Sequence, residues 1–284
     1  MQLKNKVALV TGASSGIGKA IAYELLKRGA FCAIASRNQQ VLESMAGEWI
    51  KENENYRERL CVIPLDVTRE DQCRQAVEQV VARWGRLEIL VNNAGYGVYG
   101  PIEKTSSEVA KALFDTNFFG TCSVTRAALS HIKKSKESYI VMISSVAGKI
   151  AVPWMGYYCA SKFAMNAFAD SLRPELLPYG TQVLTVMPGP VKTAFRENAR
   201  SVTGINFAPS FFGGEGPSSL RDSAGPGPLG RGRGAEEIAI ATCDAMEKNK
   251  REIVPGFGNK VNIFLRKNFM ALSDRLLARI LGPW

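Results

Sequence analysis

Short apolar, β-rich runs alternate with segments of helical period along most of this chain, and that alternation leaves few folds open. Residues 7–10, 31–36, 60–65, 87–92, 139–143 and 181–187 read as strands. Residues 17–28, 39–55, 69–84, 106–133 and 157–177 read as the helices between them, the first closed by Gly29. A strand–helix–strand series of this kind builds a parallel sheet with helices on both faces. Its strands are buried on both sides, which explains why they are continuous apolar runs. The predicted fold is α/β: a doubly wound parallel sheet of about seven strands in a single domain. A helix over 235–249 and a short strand at 252–254 complete it.

The rest of the chain sets further bounds. Its 284 residues suit one large domain, and 46% hydrophobic with 22% charged residues is an ordinary globular mixture. Six cysteines carry no Cys-x-x-Cys pair, and the single histidine, His131, cannot build a metal cluster. No metal is expected, and the thiols read as reduced in a cytoplasmic compartment. The first apolar run leads straight into a glycine turn, so no signal peptide is expected. No run reaches the roughly 18 apolar residues of a spanning helix. The net charge of +10 fits a phosphate-bearing cofactor, an anionic membrane or a nucleic acid. No nucleic-acid recognition motif accompanies it, and no nucleic-acid partner is expected.

Regularity stops at Pro188. Glycine and proline crowd residues 204–234, and a flexible substrate loop is expected over 195–234 within a catalytic unit of residues 1–258. Residues 259–284 form a basic extension, with eight Lys and Arg against Glu252 and Asp274 over residues 248–284. Val261, Phe264, Leu265, Phe269, Leu272, Leu276, Ile280 and Leu281 recur there among Lys260, Arg266, Lys267, Arg275 and Arg279. Such a helix either lies in a membrane interface, giving peripheral contact on the cytoplasmic face, or packs on the domain.

Two stretches carry chemistry. Thr11-Gly12-Ala13-Ser14-Ser15-Gly16-Ile17-Gly18 joins the first strand to the first helix. Glycines let a backbone approach a ligand, and a helix N-terminus offers unpaired N–H groups to an anion. The second strand ends at Ser36-Arg37 with no carboxylate to hold a ribose 2′-hydroxyl. Arg37 can pair with a 2′-phosphate instead, so NADP(H) is expected over NAD. Farther on, Tyr158 and Lys162 stand four residues apart, on one face of a helix. A fixed cation beside a phenol of pKa about 10 favours the phenolate, and the pair is expected to be a proton donor and acceptor with Tyr158 lowered.

These pieces together resemble the short-chain dehydrogenase/reductase family. The resemblance spans residues 5–195 and includes the turn at 11–18, Asp66-Val67, Asn92-Asn93-Ala94-Gly95, Asn117, Ser144-Ser145, Tyr158-x-x-x-Lys162 and Pro188-Gly189. It implies that Gly12, Ser14, Ser15, Gly16, Ile17 and Gly18 hold the cofactor's phosphates, with Ser36 and Arg37 beyond. Asp66 and Val67 would meet the adenine; Asn93, Ala94 and Gly95 would flank the adenine-side ribose. Pro188, Gly189, Val191 and Thr193 would approach the nicotinamide. Tyr158 would be the acid–base group and also contact the cofactor, Ser145 would be the donor to the substrate oxygen, and Lys162 would bond the nicotinamide ribose. Asn117 would hold a water leading to Lys162. Ser145 is chosen over Ser144 because it lies thirteen residues before Tyr158. Pairing through the helices at 106–133 and 157–177 would give a homodimer or homotetramer.

Residues 146–156, with Tyr96, Val98, Tyr99, Phe195, Phe207, Phe211 and Phe212, supply an apolar wall. The expected substrate is a hydrophobic carbonyl compound or its alcohol, steroid-, retinoid- or lipid-like. Cys159 is expected in that wall and not as a nucleophile. Pro174 should disturb the last turns of its helix without reaching Lys162. The rival reading is a non-catalytic NADP-binding regulator on the same fold.

Overall fold

The computed structural model describes residues 1–192, 200–201 and 233–271. Seven parallel strands form the central sheet: β1 (Val7–Thr11), β2 (Phe31–Ser36), β3 (Leu60–Pro64), β4 (Ile89–Asn92), β5 (Ser138–Ile143), β6 (Thr181–Val186) and β7 (Glu252–Ile253). Their spatial order is β7-β6-β5-β4-β1-β2-β3. Registers are in step, with Leu9 opposite Ala33 on one side and Leu90 on the other. Every residue of β1 and β5 is buried, as continuous apolar runs require of strands covered on both faces.

Helices α1 (Gly16–Lys27), α2 (Gln39–Glu52) and the late helix Ala235–Glu247 cover one face, burying Ile21, Leu25, Leu42, Trp49, Ile238 and Met246. The other face takes α3 (Glu70–Trp84), α5 (Gly120–Ile132) and α6 (Gly156–Leu176), through Val77, Val80, Val124, Ala128, Met165 and Leu172. The late helix Ala235–Glu247 is α7, and Phe257–Asn268 is α8.

The sequence predicts one helix over 106–133. The structure breaks it into α4 (Ser107–Phe114), a π-helical turn at Asp115–Phe119, and α5. A π turn adds one residue without altering composition, so periodicity does not reveal it. The helix predicted to 55 stops at Glu52, and a separate turn forms at Tyr56–Arg59. Helix α6 passes Pro174 by two residues and gives way to a 3-10 turn at Leu177–Tyr179, as a proline without an N–H would dictate. Two short parallel pairings form separate from the central sheet: Val98–Tyr99 with Arg200–Ser201, and Val191–Lys192 with Arg233–Gly234. The glycine-rich stretch at 204–232 and the tail beyond 271 lie outside the described residues.

Candidate active site

The strand order reverses between β1 and β4, so the loops leaving them diverge and open a crevice at the carboxyl edge of the sheet. A cleft of about 190 Å³ occupies that crevice. Gly12, Ser15, Gly16, Ile17, Asn93 and Gly95 line one side; Ser145, Tyr158, Lys162, Pro188, Gly189 and Val191 line the other.

The first side is built from backbone. Gly12 and Gly16 have φ of +62° and +55°, where a side chain is strained. A Cβ on Gly12 would lie 2.8 Å from Ala94 Cα, and one on Gly18 2.3 Å from Asn93 Nδ2. Asn93 Nδ2 donates to the carbonyls of Thr11 and Gly12, each at 3.0 Å. Thr11 Oγ1 accepts from the N–H groups of Asn93 at 3.0 Å and Ala94 at 3.2 Å. These bonds stitch the diverging loops together. Ser14 sits half-buried in the same turn. Ser15 is the N-cap of α1 but makes no side-chain cap, so the first-turn N–H groups are left for an anion.

Ser36 ends β2 and Arg37 follows it, and Asp66 and Val67 follow β3, farther along the same edge. Ser36 is buried; Arg37 is exposed and makes no side-chain hydrogen bond or ion pair among the described residues. Asp66 Oδ1 accepts from the N–H and hydroxyl of Thr68 at 3.0 and 2.8 Å, leaving Oδ2 for a ligand. Val67 is buried against α5, where a Cβ on Gly120 would meet its Cγ2 at 2.7 Å.

The second side is built from side chains. Tyr158 and Lys162 lie on the buried face of α6, 6% and 4% exposed. Lys162 Nζ stands 5.9 Å from the centroid of the Tyr158 ring and donates to the Ile143 carbonyl at 2.9 Å. Burial drives the Tyr158 phenol above its ordinary value; a side-chain hydrogen bond with Ser145 pulls it down, and Tyr99 and Cys159 push it up further. Burial also lowers the Lys162 ammonium to about 8. The sequence predicts a Tyr158 lowered by Lys162, and the structure gives the opposite sign. Both groups have left water, and each then favours its neutral form.

Ser145 Oγ accepts from Ala147 N–H at 3.1 Å and starts the turn Val146–Gly148. Ser144 Oγ is buried with no partner, so the serine bonded to Tyr158 is Ser145. Pro188 ties the β6 loop to this turn by accepting from Val146 N–H at 3.0 Å. Thr193 lies outside the described residues.

Asn117 sits in the π turn, fully buried behind Gly95. Its Oδ1 accepts from Tyr96 N–H at 3.0 Å; its Nδ2 donates to Tyr96 O at 3.0 Å and to Ser161 Oγ at 3.2 Å. A Cβ on Gly95 would lie 2.9 Å from Asn117 Oδ1 and 3.8 Å from Lys162 Nζ, so only glycine lets these groups close up. The side-chain amide is occupied, and a bridging water would have to use the backbone here.

Tyr99, Val146, Ala147, Val152 and Met155 add apolar wall to the cleft, and Tyr96 and Val98 pack into the same cluster. Cys159 Sγ accepts from Val152 N–H at 3.4 Å, and burial raises its thiol, which suits a wall group. Phe195, Phe207, Phe211 and Phe212 lie outside the described residues. Among the described residues no His, Cys, Asp and Glu cluster could hold a metal.

Sequence reasoning missed Thr11 and Ser161 as bracing groups. Thr11 stands directly before the glycine turn, and Ser161 directly before Lys162, which is the signal available for each.

Residues 6–203 match the short chain dehydrogenase family. The chain belongs to that family. Among short-chain dehydrogenases it is 36% identical over 213 residues to a 3-ketodihydrosphingosine reductase of Bacteroides thetaiotaomicron, covering 74% of each chain. Dehydrogenase/reductase SDR family member 7B of Xenopus tropicalis is 31% identical over 269 residues, 93% of this chain and 82% of that protein. A crystal structure of a short chain dehydrogenase from Burkholderia cenocepacia in complex with NADP superposes with a TM-score of 0.74 at 25% identity, covering 100% of both chains.

Proposed function

We propose that this short-chain dehydrogenase is an NADP-dependent oxidoreductase that interconverts a hydrophobic carbonyl compound and its alcohol. The observation that carries the reading is the convergence of Ser145, Tyr158 and Lys162 on one wall of a cleft whose other wall is the glycine turn. The residues fit the cofactor. The uncapped end of α1 and the glycine backbone suit a pyrophosphate, and Arg37, exposed and uncommitted, suits a 2′-phosphate. NADPH supplies hydride when bound.

The chain's own groups handle the proton. Burial keeps Tyr158 protonated at neutral pH, so it has a proton to give to a carbonyl oxygen. Ser145 donates a hydrogen bond to that oxygen and stabilises its developing charge. Lys162, still mostly protonated at neutral pH with a value of about 8, anchors the nicotinamide ribose and stabilises the phenolate left behind. Tyr99, Val152 and Met155 exclude water and favour an apolar substrate. The Bacteroides relative's name supports a long-chain ketone as the class.

The unit of residues 1–258, with its loop at 195–234, would carry catalysis, and residues 259–284 would form an accessory extension reaching a membrane surface from the cytoplasmic side. Six free cysteines accord with a reducing compartment. Phe119 and Phe163, 55% and 43% exposed on the π turn and α6, support pairing as a dimer or tetramer.

The test is Tyr158→Phe with NADPH and a panel of hydrophobic ketones. Turnover should fall by about 10²–10⁴-fold. NADPH binding, read by fluorescence, should stay within about twofold, since the lost hydroxyl serves the substrate oxygen. Unchanged turnover would falsify the assignment.

A further inference from the structure

Helix α8 carries its amphipathicity the wrong way round. At 3.6 residues per turn, Phe257, Val261, Phe264 and Leu265 share one face. All four are exposed, from 37% to 81%. Asn259, on the opposite side, is the residue the helix buries. Its Nδ2 donates to Pro255 O at 2.6 Å, and its amide packs against Gly189, where a Cβ would come within 2.4 Å. A helix that merely packs on a domain turns its apolar stripe inward.

Charge completes the pattern. Lys260 and Lys267 are exposed beside the stripe, and no Asp or Glu occurs between Glu252 and Asp274. The same composition continues in sequence through Arg275, Leu276, Arg279 and Ile280. No described helix is long and apolar enough to cross a membrane. Aromatic and branched apolar residues flanked by lysines, on a short helix, are the composition of an element lying in the plane of an interface.

We propose that the exposed stripe of α8 docks on an anionic lipid surface beside the mouth of the cleft, so that the enzyme takes its hydrophobic substrate from the bilayer. The docking stands on α8 alone; the identity of what is taken rests on the reading under Proposed function. Two copies of this face would bring lysines together and repel, whereas an anionic bilayer attracts each of them. Asn259 holds the docked helix against Gly189, a residue of the cleft wall, which keeps lipid and cleft adjacent.

The experiment uses the full chain and vesicles of phosphatidylcholine, with or without phosphatidylserine, in a sedimentation assay at low salt. Wild-type protein should bind phosphatidylserine vesicles about tenfold or more tightly than neutral ones, at roughly 1 kcal/mol per lysine near the surface. Replacing Phe257, Phe264 and Leu265 with Glu should lower that binding at least about tenfold. Lys260→Glu with Lys267→Glu should remove the preference for phosphatidylserine. Both variants should reduce a water-soluble carbonyl compound as fast as wild type, yet act more slowly on a long-chain ketone held in vesicles. Absence of wild-type sedimentation at low salt, or equal binding by the triple variant, overturns the proposal. A change of oligomeric state in the triple variant, seen by sedimentation velocity, also overturns it and makes the stripe a contact between copies. Should no carbonyl compound be turned over at all, the enzymatic reading fails while the vesicle result is still decided on its own.

Discussion

The two walls of the cleft are built by different means. On the cofactor side, Gly12, Gly16 and the open end of α1 present backbone, and Asn93 and Thr11 brace it. On the chemical side, Tyr158 and Lys162 present side chains that burial forces toward their neutral forms. The first wall is shaped by steric exclusion and should be relaxed in the folded state. The second holds two ionisable groups at an energetic cost, which the fold elsewhere must offset. Substitutions on the backbone wall should therefore cost stability, and those on the side-chain wall should add stability while removing activity.

The largest effect on folding is expected at Gly18→Ala. The new Cβ would stand 2.3 Å from Asn93 Nδ2 and 2.5 Å from Gly12 O. The amide can move only by releasing the turn, and the carbonyl is backbone. Overpacking of this kind costs about 1–3 kcal/mol, more than the roughly 1 kcal/mol of helix propensity that alanine returns. The check is the urea midpoint, which should fall with the slope unchanged. A midpoint at or above wild type would mean the two loops are not locked at the switch point.

Much of this architecture was legible because its causes are local. Strands buried on both faces must be apolar throughout, so β1, β2, β5 and β6 show in sequence to within a residue or so of their bounds. A positive-φ turn needs glycine, so Gly12, Gly16 and Gly29 mark themselves. What escaped depends on contacts between distant residues. Asn117, in the π turn that interrupts its helix, bonds the backbone of Tyr96, twenty-one positions earlier. The sign of the Tyr158 shift follows from burial in the cluster that holds Val152 and Met155, which its four-residue spacing from a cation does not reveal. Periodicity shows that α8 has an apolar face but does not reveal that Asn259, not that face, turns inward.

On the chemical wall, Lys162→Met should stabilise the protein at pH 7 while abolishing turnover. Lowering an ammonium from 10.5 to about 8 corresponds to roughly 3 kcal/mol of burial cost. Losing the bond to Ile143 O returns about 1 kcal/mol of that, leaving a net gain of about 2 kcal/mol. Below pH 8 both folded and unfolded wild-type chains hold the lysine proton, and the cost is constant. Between pH 8 and 10.5 only the unfolded chain holds it, so wild-type stability rises with pH and the variant's margin shrinks. Above pH 10 the raised Tyr158 acts the other way in both proteins, since the unfolded phenol ionises first. Melting temperatures of the pair across pH 7–10 check this. A variant less stable than wild type at pH 7 would place Lys162 in contact with enough polar partners to cancel its burial.

The smallest effect belongs to the outer end of the backbone wall, at Arg37→Glu. Arg37 is exposed and bound to no described neighbour, so its removal should leave the melting temperature unchanged within the ±0.5 kcal/mol typical of surface sites. Its effect should appear in the choice of cofactor. A charge-assisted bond to a 2′-phosphate contributes about 1.5–3 kcal/mol, reduced by solvent at an exposed site, so NADPH should bind about tenfold more weakly. The new carboxylate repels the phosphate but can accept from a ribose 2′-hydroxyl, so NADH should bind as well as before or better. Salt separates this from a general loss of fit, because the Debye length falls to about 3 Å at 1 M. The wild-type preference for NADPH should then narrow, while the variant, its repulsion screened, should bind NADPH better than at low salt. Equal weakening of both cofactors would instead place Arg37 on the adenine or its ribose, and the 2′-phosphate would need another cation.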